Sequence, residues 1–295
     1  MITGASGMLG QALIRSASAK YRTLGVSRRA LPGGAVCDLS KADQVEALFS
    51  ANPAKLVIHS AAVSDVDGCE SDPKTAYECN TLAAKLVAES CQKYRIPWIY
   101  VSTDYVFDGR KQSLYSENEP ENPVNIYGLT KWLGEYYAKT GPVSSAVVRT
   151  SWLFGPGNPQ NFVNAICERL RREKKISVLD DQTNSPTSVK DLGLALWKIA
   201  EYLLNLPDGS ARHEIFQICN RGTATRLEMA ERMRDWLKLP AVVEKTDRSQ
   251  IKNRLAVRPQ HSALSTRHYE EFFKQTLRPW QESLKEYLAE ASCAS

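Results

Sequence analysis

The N-terminal glycine run constrains the fold of this chain more than any other feature. Gly4, Gly7 and Gly10 recur at every third position, and a helical pattern begins at Met8 and Leu9. Glycines at this spacing permit a tight turn, let the backbone approach a phosphate group, and let the helix pack closely on the preceding strand. Backbone N–H groups at the helix N-terminus can then bind an anion. The run therefore predicts a dinucleotide-binding α/β fold.

The strand before this turn is short. Strands commonly have about five or six residues, whereas only Met1 and Ile2 precede the turn here. The first strand of such folds normally lies at the centre of the sheet. Losing about three buried apolar residues would remove roughly 5 kcal/mol, at about 1.5 to 3 kcal/mol for each side chain. We expect either that the chain starts downstream of its natural start, or that a stub of strand suffices.

Composition is that of an ordinary globular protein. The chain has 295 residues, 43% hydrophobic and 24% charged, which is enough for one large α/β domain with a smaller lobe. No apolar run approaches the roughly 18 to 20 residues of a membrane span, and no secretory signal is recognisable. Seven scattered cysteines without a CxxC pair predict free thiols in a reducing cytoplasm. The net charge of +5 is mild, and nucleic-acid binding is not expected.

Apolar β-rich runs alternate with helical patterns through the first half of the chain. This alternation is typical of a doubly wound parallel sheet, whose strands are apolar on both faces. The predicted strands are Leu24–Ser27, Leu56–Ser60, Trp98–Ser102, Ala146–Thr150, Ile176–Leu179 and Ile215–Cys219. The predicted helices are Met8–Ser18, Lys41–Ala51, Pro73–Lys93, Ile126–Thr140, Leu227–Leu237 and Pro279–Leu288. We expect a Rossmann domain over residues 1–155 and a substrate-binding lobe over 156–295, with some segments returning to the main sheet.

The end of the second predicted strand indicates which dinucleotide fits. A carboxylate there would hold the ribose 2′-hydroxyl of NAD, but the chain has Ser27, Arg28 and Arg29. A hydroxyl and two guanidinium groups suit the 2′-phosphate of NADP, because arginine makes bidentate, charge-assisted bonds to phosphate. The residues predict NADP(H) and leave NAD(H) open. A solvated basic turn is the alternative interpretation.

Two shorter segments complete the predicted cofactor site. Ala61 and Ala62 end a strand with small side chains, which let the backbone come close to a cofactor. Asp38 and Leu39 resemble the pair that flanks adenine in dinucleotide-dependent enzymes.

Three side chains are predicted to carry the chemistry. Thr103 ends a β-rich run, and Tyr127 and Lys131 lie four residues apart at the start of a predicted helix. Because they share one helix face, the ammonium group can lower the phenol pKa from about 10 towards the working pH. Around a carbonyl group, Thr103 would hydrogen-bond the oxygen and Tyr127 would protonate it, while a reduced nicotinamide supplies hydride. A tyrosine–lysine pair alone is often accidental, but with the glycine turn it predicts a nicotinamide-dependent oxidoreductase.

Several further segments fit a known pattern. They are His59–Ala62, Val66–Glu70, Ser102–Gly109, Asn125–Lys131, Gly134–Glu135, Arg149–Gly155, Asp180–Gln182, Ser185–Thr187 and Arg258–Pro259. With the glycine turn, they resemble the extended short-chain dehydrogenase/reductase superfamily and, within it, the dTDP-4-dehydrorhamnose reductase family. The resemblance covers nearly the whole chain. Its last three segments are more specific to the family than the superfamily motifs are.

The resemblance implies an activity and roles for the residues. The family reduces the C4 ketone of dTDP-4-dehydro-L-rhamnose to dTDP-L-rhamnose with NAD(P)H. By this resemblance Tyr127 would be the catalytic acid, Thr103 its partner at the carbonyl, and Lys131 a helper bound to the cofactor. Thr103, Asp104 and Trp152 would contact the sugar. The substrate expected is therefore a nucleotide-sugar.

Four cations in the predicted second lobe support a diphosphate-containing substrate. Arg248, Lys252, Arg254 and Arg258 lie close together in the sequence, and a diphosphate needs positive charge. Solvated loop charges are the alternative.

No metal site is predicted, because the four histidines show no metal-ligand spacing. Some family members bridge a dimer through magnesium, held partly by a glutamate two residues after the third glycine. That position is Ala12 here, which argues against the magnesium bridge and leaves a homodimer without metal open.

Two other functions remain open at this stage. The regulatory beta subunit of methionine adenosyltransferase resembles the same reductases, holds NADP and is not an enzyme. Two features argue against a regulatory subunit. Trp152 and the segment 180–187 look like those of the sugar-binding reductases, and residues 290–295 lack an aromatic, basic tail suited to insertion into a partner. The second alternative is a reductase or epimerase of another nucleotide-sugar. Epimerases usually carry carboxylates beside the threonine; Asp104 qualifies, although Tyr105 stands where a glutamate would be expected.

Overall fold

The computed structural model describes residues 1–247 and 254–293. Within them the strands, in chain order, are β1 (Ile2–Thr3), β2 (Gly25–Ser27), β3 (Ala35–Val36), β4 (Val57–His59), β5 (Trp98–Thr103), β6 (Ser145–Thr150), β7 (Leu153–Phe154), β8 (Lys175–Leu179), β9 (Thr183–Asn184), β10 (Thr187–Ser188), β11 (His213–Gln217), β12 (Ala224–Thr225) and β13 (Val242–Thr246). Seven of them form one sheet in the order β11-β6-β5-β4-β1-β2-β3. All its pairings are parallel, so the carboxyl ends of the strands meet at one edge.

The helices, in chain order, are α1 (Met8–Ser16), α2 (Ala42–Ala51), α3 (Val66–Ser71), α4 (Pro73–Tyr77), α5 (Ala83–Lys93), α6 (Ile126–Thr140), α7 (Phe162–Arg172), α8 (Val189–Leu204), α9 (Arg226–Trp236), α10 (Arg267–Phe273) and α11 (Trp280–Cys293). Helices cover both faces of the seven-stranded sheet. A π-helical turn, Glu78–Leu82, joins α4 to α5. One apolar cluster lies between the sheet, α1 and α8, and another between the sheet, α2 and α5. The predicted doubly wound α/β fold is confirmed.

The stub of strand lies at the centre of the sheet. β1 has two residues and pairs with β2 on one side and β4 on the other. Ile2 is fully buried, and its N–H donates to the Leu24 carbonyl at 2.8 Å. The amino group of Met1 donates to the Leu56 carbonyl at 2.8 Å, and burial lowers its pKa to about 6. Two residues therefore hold the glycine turn at the middle of the sheet edge.

The predicted strands and helices are found, with ends that differ by a few residues; α11 alone extends further. The single helix predicted over Pro73–Lys93 is instead α4 and α5, joined by the π-helical turn. The sequence pattern did not predict α3, α7, α8 and α10. The omission of α8 matters most, because this helix packs on α1 and seals one face of the sheet. Ser188 caps it by accepting the Lys190 N–H, a local signal that the sequence carried.

Part of the chain beyond residue 155 forms a separate layer of structure. β8 pairs with β13, and β9 with β12, while α7, α9 and α11 enclose their own apolar cluster. β11 instead joins the main sheet beside β6. The boundary at residue 155 stays a prediction, since the chain crosses back after it. No helix of the described ranges is both long and apolar enough to span a bilayer.

Candidate active site

Two adjoining cavities lie at the carboxyl edge of the sheet. The larger has a volume of about 550 Å³ and the smaller about 330 Å³. Both are lined by Gly4, Gly7, Ser60 and Ala62, so they form one cleft divided at the glycine turn. This is the edge at which doubly wound folds bind dinucleotides.

The glycine turn has the geometry of a phosphate cradle. Gly4 has a φ of +70°, and a Cβ there would lie 2.8 Å from the Ala61 backbone. A Cβ on Gly10 would collide with the Gly4 carbonyl group, because α1 packs directly on the turn. Met8 and Leu9 begin α1 and line the larger cavity. No side chain in the described part of the chain caps this helix, so its first N–H groups are available to an anion.

The smaller cavity is lined by the residues predicted to bind the adenosine half of the cofactor. Besides the glycines, these are Ser27, Arg28, Arg29, Asp38, Leu39, Ala61 and Ala62. Arg28 and Arg29 are exposed, whereas the Ser27 hydroxyl donates to the Arg29 carbonyl and shapes the turn. The two guanidinium groups are therefore the available phosphate ligands. The residues present fit NADP, and their individual roles stay predictions.

The position of α6 is set by a cap and a close approach. The Asn125 side chain accepts the Gly128 N–H at 2.8 Å and so begins the helix. Gly128 lies against the Tyr105 carbonyl group, where a Cβ would not fit. Tyr105 lies in the turn Asp104–Val106 after β5, and its ring contacts the Tyr127 ring edge to face, with the ring centres 5.8 Å apart. The first turn of α6 is thereby held over the end of β5.

Thr103, Tyr127 and Lys131 all line the larger cavity. Thr103 is the last residue of β5. The predicted trio therefore meets at one place. Its electrostatics differ from the expectation. Burial raises the pKa of Tyr127 above its ordinary value, and the Thr103 side chain opposes this only in part.

Lys131 is 2% exposed, and its ammonium group donates to the Val101 carbonyl at 2.7 Å. Its Nζ also lies 4.1 Å from the centre of the Tyr100 ring. Burial lowers the pKa of Lys131 to about 7. Desolvation therefore dominates the pKa of both groups, and the stabilisation of the phenolate by Lys131 stays a prediction.

A buried ionic network supports α6 from below. Arg149 on β6 is fully buried and binds both carboxylate oxygens of Glu135, at 2.9 and 2.7 Å. Glu135 also accepts from the Ser102 hydroxyl at 2.6 Å and pairs with Lys139 at 2.8 Å. Arg149 pairs in addition with Glu121. The network ties α6 to β5 and β6.

Asp104 is 2% exposed and lines the larger cavity. Its carboxylate accepts from Thr103 at 3.1 Å, from Asn184 at 2.7 Å and from Ser262 at 2.6 Å. Burial raises the pKa of Asp104 to about 6, and these hydrogen bonds oppose the rise. The predicted contact of Asp104 with a sugar stays a prediction, but its oxygens already have protein donors.

The opposite wall of the cleft carries Trp152 and Arg226. Trp152 has a φ of +40°, a strained conformation for a bulky residue. Its indole N–H is buried and has no hydrogen-bond partner among the described residues. The Arg226 guanidinium lies 4.8 Å from the Trp152 ring and 4.9 Å from the Phe162 ring. Within residues 1–247 and 254–293, no carboxylate lies at ion-pair distance from Arg226.

The other predicted cations are partly accounted for. Arg258 binds Asp67 on α3 through two bonds of 2.8 and 2.6 Å, which lowers the pKa of Asp67 to about 2. Arg254 pairs with Asp181. Both arginines line a third cavity of about 490 Å³, which shares Phe162 and Arg226 with the larger one. Arg248 and Lys252 lie outside the described residues.

Sequence reasoning missed Arg226 and Phe162. Neither lies near a recognised motif, and the packing of α7 and α9 brings them to the cleft. The one available signal was the Thr225–Glu228 spacing, typical of a helix start, which would have placed Arg226 at an N-terminus. In the described ranges, no group of three His, Cys, Asp or Glu residues could hold a metal ion.

Comparison with known proteins finds relatives that match nearly the whole chain. The model of the RmlD substrate binding domain matches residues 1–293. The spore coat polysaccharide biosynthesis protein SpsK of Bacillus subtilis is 31% identical, covering 100% of this chain and 98% of SpsK. A dTDP-4-dehydrorhamnose reductase of Mycolicibacterium smegmatis is 32% identical, covering 98% of this chain and 84% of the relative. A solved dTDP-4-dehydrorhamnose reductase from Bacillus anthracis, in complex with NADP, has a TM-score of 0.89 at 28% identity and covers 98% of each chain.

Proposed function

The chain belongs to the RmlD substrate binding domain family, and on this premise we propose that it reduces the C4 ketone of dTDP-4-dehydro-L-rhamnose to dTDP-L-rhamnose with NADP(H). One observation carries the proposal: Thr103, Tyr127 and Lys131 line the same cavity as the glycine turn. The relatives named for this reaction, and the NADP complex among the solved structures, support it. NAD(H) stays open as a second cofactor.

The residues of the cleft divide the reaction between them. The glycine turn, Arg28 and Arg29 would hold NADPH, which when bound would supply a hydride to the carbonyl carbon. The Thr103 and Tyr127 side chains orient the ketone oxygen, and the Tyr127 hydroxyl gives its proton to that oxygen as negative charge develops there. The Lys131 ammonium group lies one helical turn away, where it stabilises the phenolate that remains. Because all three side chains are largely withdrawn from water, these interactions act at low dielectric.

A nucleotide diphosphate fits the wall opposite the trio. Arg226 lies between the catalytic cavity and the third cavity, and Phe162 lines both. A guanidinium group without a carboxylate partner offers charge-assisted bonds to phosphate. Arg254 and Arg258 add positive charge on the same side. A sugar at Thr103 and Tyr127 would then leave its diphosphate at Arg226, with Trp152 between them.

The alternatives separate clearly in an assay. The comparisons do not favour the regulatory subunit of methionine adenosyltransferase, which would bind NADP without turnover. A reductase or epimerase of another nucleotide-sugar would act on a different member of a substrate panel. We therefore propose to test a panel of dTDP- and UDP-linked 4-keto sugars as substrates. Turnover of each sugar is measured as the loss of NADPH absorbance. Turnover of a UDP-sugar, with none of the dTDP-sugar, would contradict the substrate proposed.

Replacing Tyr127 by phenylalanine removes the proton donor and little else. Tyr127→Phe should lower kcat/KM at least about a hundredfold while the Kd for NADPH, from fluorescence titration, is nearly unchanged. Tyr136→Phe is the matched control, since Tyr136 is on the same helix and 61% exposed. Full activity in Tyr127→Phe would contradict the proposed role.

We also propose that the protein acts in the cytoplasm. All six cysteines whose side chains the structure describes are free thiols, which suits a reducing compartment. A homodimer stays a prediction, and sedimentation velocity would test it.

A further inference from the structure

We propose that Tyr100 is a positioning residue for the reduction: the face of its buried ring holds the Lys131 ammonium group, in its charged form, beside Tyr127. The proposal deepens the function above and rests on it for its catalytic meaning. The contact between the ring and the ammonium group can be tested on the protein without any substrate.

Lys131 is buried without an anion. Within the described ranges, no carboxylate lies at ion-pair distance from its ammonium group, which donates to the Val101 carbonyl at 2.7 Å. Glu135, one helical turn further along α6, raises the pKa of Lys131, but its carboxylate is already bound by Arg149 and Lys139. A desolvated ammonium group needs more than one neutral acceptor to remain charged. The structure provides a second partner for it.

That partner is the ring of Tyr100. The Lys131 nitrogen lies over the ring, 4.1 Å from its centre, well inside the distance of about 6 Å at which a cation is attracted to an aromatic face. Tyr100 is fully buried, which raises the pKa of its phenol and keeps it neutral. Because both groups are withdrawn from water, their attraction is little screened. The ring therefore favours the charged form of Lys131 where burial opposes it.

Three contacts fix the ring in this place. The Tyr100 hydroxyl donates to the Lys131 carbonyl at 3.2 Å, so the ring is bound to the same residue whose ammonium group lies over it. A Cβ on Gly134 would collide with the phenol oxygen, so α6 packs directly on the hydroxyl. The His59 ring stacks on the Tyr100 ring, with the centres 5.7 Å apart. A displacement of the ring would therefore disturb α6 as well as Lys131.

The other titratable groups around Lys131 leave this role to the ring. His59, on β4, adds no charge, because burial and then Lys131 lower its pKa to about 3. Tyr127, one turn before Lys131, is a neutral phenol, since burial raises its pKa. Glu135 favours the ammonium form, but shares its charge with Arg149 on β6. Burial nevertheless lowers the pKa of Lys131 to about 7, so the loss of a favourable contact should change its charge within the pH range of an assay.

Fluorination of the ring tests the contact with little change of shape. Phenylalanine, difluorophenylalanine and pentafluorophenylalanine are placed at position 100 by nonsense suppression, and each added fluorine withdraws electron density from the ring face. The pKa of Lys131 is followed by NMR of ¹³C-labelled lysine, with Lys131→Met for assignment. This pKa should fall stepwise, by about 1 pH unit across the series. Equal pKa values across the series would overturn the proposal, because the three rings fill nearly the same space.

Truncation of the ring gives a second test. Tyr100→Leu should lower the pKa of Lys131 by about 1 pH unit, whereas Tyr100→Phe should keep the wild-type value, because the ring and not the hydroxyl faces the ammonium group. Trp98→Leu is the matched control, since Trp98 is 1% exposed and lies two residues earlier in the same apolar cluster. It should lower the melting temperature as Tyr100→Leu does and leave the pKa of Lys131 unchanged. An equal shift of this pKa in Trp98→Leu or in Tyr100→Phe would assign the effect to a cavity or to the lost hydroxyl, and the proposal would fail.

Activity measurements then connect the contact to catalysis. If the charged Lys131 stabilises the phenolate of Tyr127, kcat/KM falls as the pH rises through the pKa of Lys131. This limb of the pH profile should lie about 1 pH unit lower in Tyr100→Leu than in the wild type, and Tyr100→Phe should keep the wild-type limb. A loss of kcat/KM by the same factor at every pH would show a merely structural role and contradict the proposal. An inactive wild-type chain whose Lys131 pKa responds to the fluorinated rings would instead contradict the proposed function alone.

Discussion

Two arginines show how the floor of the cleft, the buried ionic network beneath α6, differs from the opposite wall that carries Trp152 and Arg226. Arg149, beneath α6, is fully buried and has its guanidinium group satisfied by Glu135 and Glu121. Arg226, in the wall, contacts two aromatic rings, and no carboxylate of the described residues pairs with it. One charge is neutralised within the fold, and the other is not.

The difference separates stability from binding. A buried charge with ideal partners becomes part of the scaffold, because removing one partner leaves the other unpaired and desolvated. A desolvated cation without an anion costs free energy in the folded state, and burial lowers the pKa of Arg226 accordingly. Such a group is retained where an anion from outside completes it. The comparison therefore predicts opposite consequences for the two arginines.

Removal of Arg149 should have the largest effect. Arg149→Met leaves buried Glu135 with Lys139 as its remaining ion-pair partner among the described residues, and the free energy of unfolding should fall by about 3 to 5 kcal/mol in urea denaturation. Arg169→Met is the control, because the Arg169–Glu173 pair is exposed and contributes under about 1 kcal/mol. Equal losses in the two variants would remove the distinction between the floor and the surface.

Removal of Arg226 should affect substrate and not stability. Arg226→Met should raise KM for the nucleotide-sugar about 10- to 100-fold, the loss expected for charge-assisted bonds to phosphate. Its melting temperature should equal or exceed that of the wild type, since a desolvated charge is removed. Arg232→Met, an exposed site on the same helix, should change neither quantity. A large loss of stability in Arg226→Met would show that this arginine stabilises the fold, as Arg149 does, and would contradict its role in binding.

Lys131 should give the most pH-dependent effect. Burial lowers its pKa to about 7, below the value of about 10.4 for lysine in an unfolded chain. Between these values the unfolded chain binds more protons, so the free energy of unfolding should increase with pH, by at most about 1.4 kcal/mol per pH unit. Lys131→Met should lack this slope. Parallel stability curves for the two proteins between pH 7 and about 10 would contradict the burial argument.

The sequence was sufficient for the parts of the site whose geometry is local. The turn from Gly4 to Gly10 and the pair Tyr127 and Lys131 each lie within one or two helical turns, so spacing alone places them. The alternation of strands and helices then brings them to one sheet edge. The fold class and the meeting of the trio followed from these rules.

What the sequence could not give depends on distant packing. The burial that raises the pKa of Tyr127 was not predicted, because helix spacing says which groups are neighbours and nothing about how deeply they are buried. The bond from Arg258 to Asp67 joins residues 191 positions apart. Arg226 reaches the cleft only through the packing of α9. Each omission concerns a charge whose partner, or lack of one, is set by tertiary structure.

The contact at Gly128 has a mechanical consequence. With no space for even a methyl group between α6 and the Tyr105 carbonyl, and with Arg149 fastening the helix from beneath, the proton donor cannot slide along the strand edge. We therefore expect the motion that admits or releases a sugar to occur on the side of the cleft that carries Trp152.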